Sequence, residues 1–437
     1  MDNLFTLALL YLAYTGISFY LFSYNFFSPS LVFCVSMSVM LCFAYYAAAN
    51  MGMLFAINME TFTIFAWAGF IFLATEFFVY ANHTANHFHS STLKNVPPKP
   101  EPLIIHPQIQ WAATIFLAMS FIIAVAVVFL NTGGGSWSAR MIAYKDLLVY
   151  HVGDIRYRFI TAQLYKIGII IADLCGYVLV YNLTVCNVPA RKLMSYFADV
   201  ILFAAFSSVY SAARRSAIEL FLFLAMIYVT LNMKPGGKKK VVKLIIKSIP
   251  VVIIFASVFT VAGSLVGRYE GKKSGLQNVA EYICGGLYSF NLHIDEGAST
   301  KLFGQASFSY IYAIPQNMGL IPRDDTIMIT GKFDIYGNTV TIFGRWYRDF
   351  GAIGVFVMTC LVSWFYSWMF YSKIIYSNNI TKEHHLARIY YCQWMTGLIW
   401  AGGDDRIAPL MTMETVIFVI FTALFFKMFI NKNLKLF

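Results

Sequence analysis

Apolar runs of roughly 20 residues, the length that crosses a bilayer as a helix, recur from one end of the chain to the other. They fall at 4–22, 29–48, 60–80, 111–130, 160–181, 196–213, 216–233, 248–266, 350–372, 388–402 and 408–430. The short alternating strands of a barrel are absent from the pattern, and helices satisfy their own backbone hydrogen bonds in hydrocarbon. The pattern predicts an all-α, polytopic membrane bundle of about eleven transmembrane helices, a single membrane domain over 1–437. One polar stretch breaks the rhythm: 267–349, roughly eighty residues and far longer than a connector needs to be. No internal repeat is visible, which weakens an inverted-repeat transporter.

Composition agrees. Of 437 residues 59% are hydrophobic and 12% charged, where soluble domains run near a quarter charged. The formal net charge of +11 is put to use at lipid headgroups and in fixing orientation rather than on nucleic acid. The seven cysteines lack metal-ligand spacing and read as small buried apolar residues. The first apolar run lacks a basic leader and a small-residue cleavage site, so it is expected to be retained.

Orientation follows from the basic connections. The segment 234–247 carries six lysines, and the tail 432–435 is also basic. With both in the cytoplasm, 81–110, 182–195 and 373–387 lie inside. The stretches 131–159, 214–215, 267–349 and 404–406 then lie outside. On that topology two arginines and 14 lysines are inside, against ten arginines and six lysines outside or at the outer border. Lysine alone serves topology, whereas arginine offers a rigid fork that grips phosphate at two points. The asymmetry points to a phosphate-bearing ligand on the outer face, or to an arginine-rich surface with no single ligand.

Three constellations carry candidate chemistry. In 210–221, YSAARRSAIELF, Arg214 and Arg215 lie at a turn between spans, and Glu219 is one helical turn from Arg215. The segment is either an anchor with an internal ion pair or a cation site oriented by Glu219. In 341–351, TIFGRWYRDFG, Arg345 and Asp349 are likewise four apart, with Tyr347 and Arg348 between them. Charges at a membrane border are costly to desolvate and usually have partners or a ligand. Asp349 also suits a first helical turn as a cap. Within 267–349, Arg268 adds a cation, and 279–290 reads as a re-entrant or interfacial helix. Its aromatics and amides suit sugar recognition, and Glu281, His293, Asp295 and Glu296 are candidate bases that spacing does not separate. Glu76, Asp173, Asp199 and Glu414 fall within spans and are candidates by cost alone; Asp173 and Asp199 would line an ion path in a transporter. His83, His87 and His89 have metal-like spacing but no acidic or cysteine partner nearby. The pairs 324–325 and 404–405 offer aspartates for a divalent ion. No cofactor motif is seen, and no metal is assigned.

FFSPSLVF near the start, YSAARRSAIE at a span border and GNTVTIFGRWYRDFGAIG ahead of a late span resemble motifs of the bacterial oligosaccharide repeat-unit polymerases, the O-antigen (Wzy-type) polymerase family. The first is similar to the family's Ser-Pro start of an early span. The second is similar to its Ser-Arg motif, with two arginines where one is usual. The third is similar to its Asn-x-x-Thr…Arg…Tyr-x-Asp-Phe-Gly stretch and is the most specific. The resemblance covers the layout of most of the chain.

It implies a C-type membrane glycosyltransferase fold in the bacterial inner membrane. It also implies transfer of a glycan from undecaprenyl pyrophosphate to another lipid-linked repeat unit at the periplasmic face. On that expectation Arg215 and Arg345 hold the departing pyrophosphate, supported by Arg214, Arg268 and Arg348. Asp349 orients Arg345 or acts as base, the first being favoured, and Glu281, His293 and Asp295 share the remaining claim to the base. The expected partners are the lipid-linked oligosaccharide as donor and acceptor, membrane lipid and a chain-length regulator, with no nucleic acid. A ligase that moves finished glycan would share the arginines and the outer loop. A flippase for the same lipid would bury its charges within the spans, and a scaffold for other membrane proteins would need neither.

Overall fold

The computed structural model describes residues 2–22, 27–51, 56–90, 100–150, 155–213, 215–232, 275–294, 300, 302–308, 311–312, 315–316, 318–321, 341–375, 382–407 and 413–430. Among these the chain is helical and forms no strand. The helices are α1 (Asp2–Leu21), α2 (Pro29–Asn50), α3 (Met59–Ser90), α4 (Pro107–Asn131), α5 (Trp137–Tyr150), α6 (Arg158–Thr184), α7 (Met194–Ser211) and α8 (Arg215–Asn232). They continue as α9 (Gly275–His293), α10 (Ile342–Met369, extended by a π-helical turn Phe370–Ile375), α11 (Lys382–Trp400) and α12 (Met413–Phe429). Ten of the eleven expected spans coincide with helices, while 248–266 lies outside the described residues. Seven helical stretches are long and apolar enough to cross a membrane: those of α1, α2, α3, α4, α6, α7 and α10. The molecule is therefore a multi-pass helical membrane protein.

The exposed side chains show why. Along α4, Trp111, Ile115, Met119 and Ile122 are each more than half exposed. Their spacing of three and four residues makes a continuous apolar stripe on one helix face, which water would penalise and lipid solvates. Polar residues turn inward instead: Gln110 and Ser120 of the same helix are buried.

The chain divides into two compact units. Met1–Val96, Lys273–Asn378 and Gln393–Val416 form the first; Pro97–Lys272, Asn379–Cys392 and Ile417–Phe437 form the second. In the first unit α1 packs on α2 and α3, α9 on α2, and α10 on α3. Its span carboxylate, Glu76, is a structural clamp. Ser28 caps α2 with its side-chain oxygen on the Leu31 N–H, and Pro29 stands in the first turn, where its missing N–H costs nothing. Glu76 accepts from the Ser30 N–H and from the Tyr371 hydroxyl at 2.7 Å. The FSPS sequence is thus a helix start tied by one carboxylate to α3 and to the end of α10.

In the second unit α4, α6, α7 and α8 pack against one another. Asp199 accepts from Gln110, from Thr114 Oγ1 at 2.6 Å and from Cys175 Sγ at 3.4 Å. These donors tie α7 to α4 and α6, so Asp199 is a cross-helix bolt. Asp173 differs: it is 3% exposed, and its Oδ2 has no hydrogen-bond partner among the described residues.

Candidate functional site

The stretch 341–351 begins earlier and bends more sharply than a plain span border. Thr341 is extended, α10 starts at Ile342, and Gly351 breaks the helix with φ 65° and ψ −164°, a conformation open essentially only to glycine. The order of contacts with α3 reverses there. Before the break, the Phe343 ring meets Phe65 at 4.8 Å, and the Tyr347 hydroxyl reaches Glu60 at 2.7 Å. Beyond it, Ser363 donates to the Phe72 carbonyl and Tyr371 to Glu76. Residues 342–350 therefore run toward the α3 N-terminus, and the chain then turns back along α3.

Three segments of the first unit meet around this stretch. A Cβ on Gly286 of α9 would stand 2.9 Å from the Gly403 carbonyl oxygen and 3.0 Å from the Thr341 nitrogen. Only hydrogen lets α9, the start of α10 and the turn after α11 converge so closely. That turn is anchored separately, by Ser36 of α2 donating to the Ile399 carbonyl at 2.7 Å and accepting from the Gly402 N–H.

Arg345 projects into this junction. Its Nε lies 3.1 Å from Asp405 Oδ2, and the side chains are 28% and 3% exposed respectively. Nη1 reaches the Ala306 carbonyl at 3.5 Å. Asp405 is itself fixed, its other oxygen accepting from the Ile407 N–H at 3.0 Å. A buried carboxylate thus holds one edge of the guanidinium, while the side chain keeps part of its surface open.

Asp349 has a different duty from the one expected. It accepts from Thr300 Oγ1 at 2.8 Å, from the Ala306 N–H at 2.9 Å and from the Ser307 N–H at 2.5 Å. The carboxylate that orients Arg345 is Asp405, and Asp349 clamps the 302–308 turn onto α10. Residue 306 joins the two clamps, its N–H on Asp349 and its carbonyl beside Arg345.

The other expected residues divide as follows. Arg348 is half-buried, with its carbonyl accepting from the Thr300 N–H at 3.4 Å. Tyr347 is 7% exposed and shares its single proton between Glu60 and the Ile294 carbonyl, so it is a strut inside the site wall. His293 ends α9 half-buried beside that strut. Glu281 lies on α9, with its side chain outside the described residues, as are Arg214, Arg268, Asp295, Glu296 and the pair 324–325. In the second unit Arg215 opens α8 and Glu219 is half-buried one turn on. The Arg215 side chain lies outside the described residues. Asp404 faces Arg406 at 3.1 Å while Asp405 faces Arg345, so the two neighbours serve different cations. Cys284 is buried with its thiol on the Met40 carbonyl, and burial pushes that thiol up to about 12, which removes thiolate chemistry at neutral pH.

Asp405 and Glu60 are the residues that sequence reasoning missed as partners. The only signal for Asp405 was an aspartate pair between a predicted span and an arginine, which also suits a divalent ion. Comparison with models of protein families, with curated proteins and with solved structures finds no match for this chain.

Proposed function

We propose that the protein is an integral-membrane glycosyltransferase that polymerises oligosaccharide repeat units carried on undecaprenyl pyrophosphate. In this reading it has eleven spans, a C-type architecture, and its site at the periplasmic face of the bacterial inner membrane. The observation that carries it is Arg345, a permanently charged group held at one edge by buried Asp405, with its side chain 28% exposed.

The reaction breaks the bond between the anomeric carbon of the donor glycan and the pyrophosphate oxygen. An acceptor sugar hydroxyl attacks that carbon, its proton passes to a base, and the electron pair of the broken bond leaves with the pyrophosphate. Charge grows on the departing oxygen, so a preorganised cation in a site of low water content lowers the barrier without a metal. Arg345 supplies that cation. Arg348 supports it, and Arg215, Arg214 and Arg268 are the further arginines that the family resemblance assigns to the pyrophosphate. Glu281, His293 and Asp295 are the candidates for the base, whereas Asp349 keeps the 302–308 turn in place. A chain-length regulator is a compatible partner.

The test supplies purified protein with lipid-pyrophosphate-linked repeat units and follows lengthening on a gel. Arg345→Ala and Arg215→Ala are expected to leave folded protein that does not lengthen chains. Lengthening at the parental rate by both variants overturns the assignment. One observation favours a transporter instead, the buried Asp173 oxygen without a hydrogen-bond partner among the described residues. That reading wins if the unmutated protein only moves the lipid between leaflets and Asp173→Asn abolishes the movement.

A further inference from the structure

A second guanidinium, far from 341–351 in the sequence, is buried more completely. Arg388 lies in the second turn of α11 and is 5% exposed. Among the described residues its Nε and Nη1 are both buried without a hydrogen-bond partner, and it forms no ion pair. Arginine cannot escape the cost by losing its proton. A charge kept in that state inside a membrane protein is expensive, and such charges mark ligand or ion positions.

Its surroundings belong to the second unit. The Tyr177 hydroxyl lies within interaction distance of the guanidinium and 2.6 Å from His385 Nδ1. The His385 ring stands edge-on to Tyr181 at 4.9 Å and stacks on Phe426 at 6.0 Å. Tyr177 and Tyr181 come from the last two turns of α6, His385 and Arg388 from the first two of α11, and Phe426 from the end of α12. Three helix ends therefore meet around one cation. Ring faces soften the burial of a guanidinium, and the Tyr177 hydroxyl serves one of its N–H groups, but among the described residues Nε and Nη1 are left without an acceptor. The same end of the unit carries Lys192, Lys382 and Lys427 in sequence, which adds to an attraction for anions.

We propose that Arg388, walled by Tyr177, Tyr181, His385 and Phe426, is a binding site for a phosphate oxyanion at this end of the second unit. The phosphate belongs either to an anionic phospholipid headgroup or to free phosphate; both present the tetrahedral oxygens that a guanidinium fork engages. The site is independent of the glycosyl-transfer reading, since its test reads binding rather than chain growth.

The full-length protein is held in dodecyl maltoside micelles, a detergent without phosphate, and its unfolding midpoint is followed as phosphatidylglycerol or inorganic phosphate is added. A ligand that binds only the folded state raises the midpoint. The parent is expected to gain with phosphatidylglycerol, Arg388→Met to lose at least half of that gain, and Arg388→Lys to keep most of it. In the detergent alone Arg388→Met is expected to unfold at a higher temperature than the parent, because a buried charge with two unsatisfied N–H positions has been removed. A gain from inorganic phosphate as well assigns the site to free phosphate, and a gain from the lipid alone assigns it to the headgroup. No gain in the parent, or a gain that Arg388→Met retains in full, overturns the site.

Discussion

At the scale of the residue, the central fact is the division of labour between two aspartates that look alike in sequence. Asp349 is four residues from Arg345, the spacing of a helical ion pair, yet its carboxylate is taken up by Thr300, Ala306 and Ser307. Asp405 pairs with Arg345 from a different segment. Local spacing cannot reveal which carboxylate wins, because the choice depends on where the 302–308 turn and the turn after α11 come to rest. Asp405→Asn keeps the shape and removes the charge that fixes the guanidinium. In the chain-lengthening assay kcat is expected to fall about 10- to 100-fold, less than the roughly 100- to 1,000-fold lost when a preorganised donor to developing charge is itself removed, with a smaller change in KM. Asp349→Asn is expected instead to act through stability, lowering the unfolding midpoint, because two backbone N–H groups and a hydroxyl lose a charged acceptor worth about 1.5–3 kcal/mol per bond. If Asp405→Asn turns over at the parental rate, Asp405 does not position a catalytic Arg345.

Elements were more legible than contacts. Apolar runs of span length carry their own signal, so ten of the expected spans coincide with helices, and 279–290 falls within α9. The bend at Gly351 was hidden because a Phe-Gly step ahead of an apolar run also reads as a plain helix start. Its positive φ is set by the tertiary demand that 342–350 and the span beyond follow α3 in opposite directions. A Cβ at Gly351 meets nothing within 4 Å, so Gly351→Ala tests backbone strain alone, about 1–3 kcal/mol. The expected result is a lower unfolding midpoint together with slower chain growth, since the helical turn bearing Arg345 is re-aimed. The α2 cap gives a contrasting case. Glu76→Gln leaves one of two donors, the Ser30 N–H or the Tyr371 hydroxyl, facing an amide nitrogen, at a cost of about 1–3 kcal/mol. Stability should fall while turnover of the remaining folded protein is unchanged; lost turnover at full stability would make Glu76 part of the chemistry.

For the whole molecule, the apolar outer stripe of α4 and the inward polar residues establish that lipid is the solvent, but neither tells which end faces which compartment. That information lies in the distribution of arginine and lysine, and the proposed reaction depends on it, because a lipid-linked glycan awaiting polymerisation is reached only from the outer side. Two positions discriminate. Phe303 is 80% exposed in the turn clamped by Asp349, and Lys192 is exposed in the short connection before α7. The background replaces the accessible native thiols Cys42, Cys186 and Cys360 by serine, leaving Cys34, Cys175, Cys284 and Cys392, which are buried. A membrane-impermeant maleimide added to intact cells is expected to label Phe303→Cys and to spare Lys192→Cys until the membrane is opened. The reverse pattern would put Arg345 and its aspartate on the cytoplasmic side. The guanidinium would then face nucleotide-activated sugars instead of lipid-linked repeat units, and the polymerase reading would fall with the orientation, whatever the fate of the site geometry.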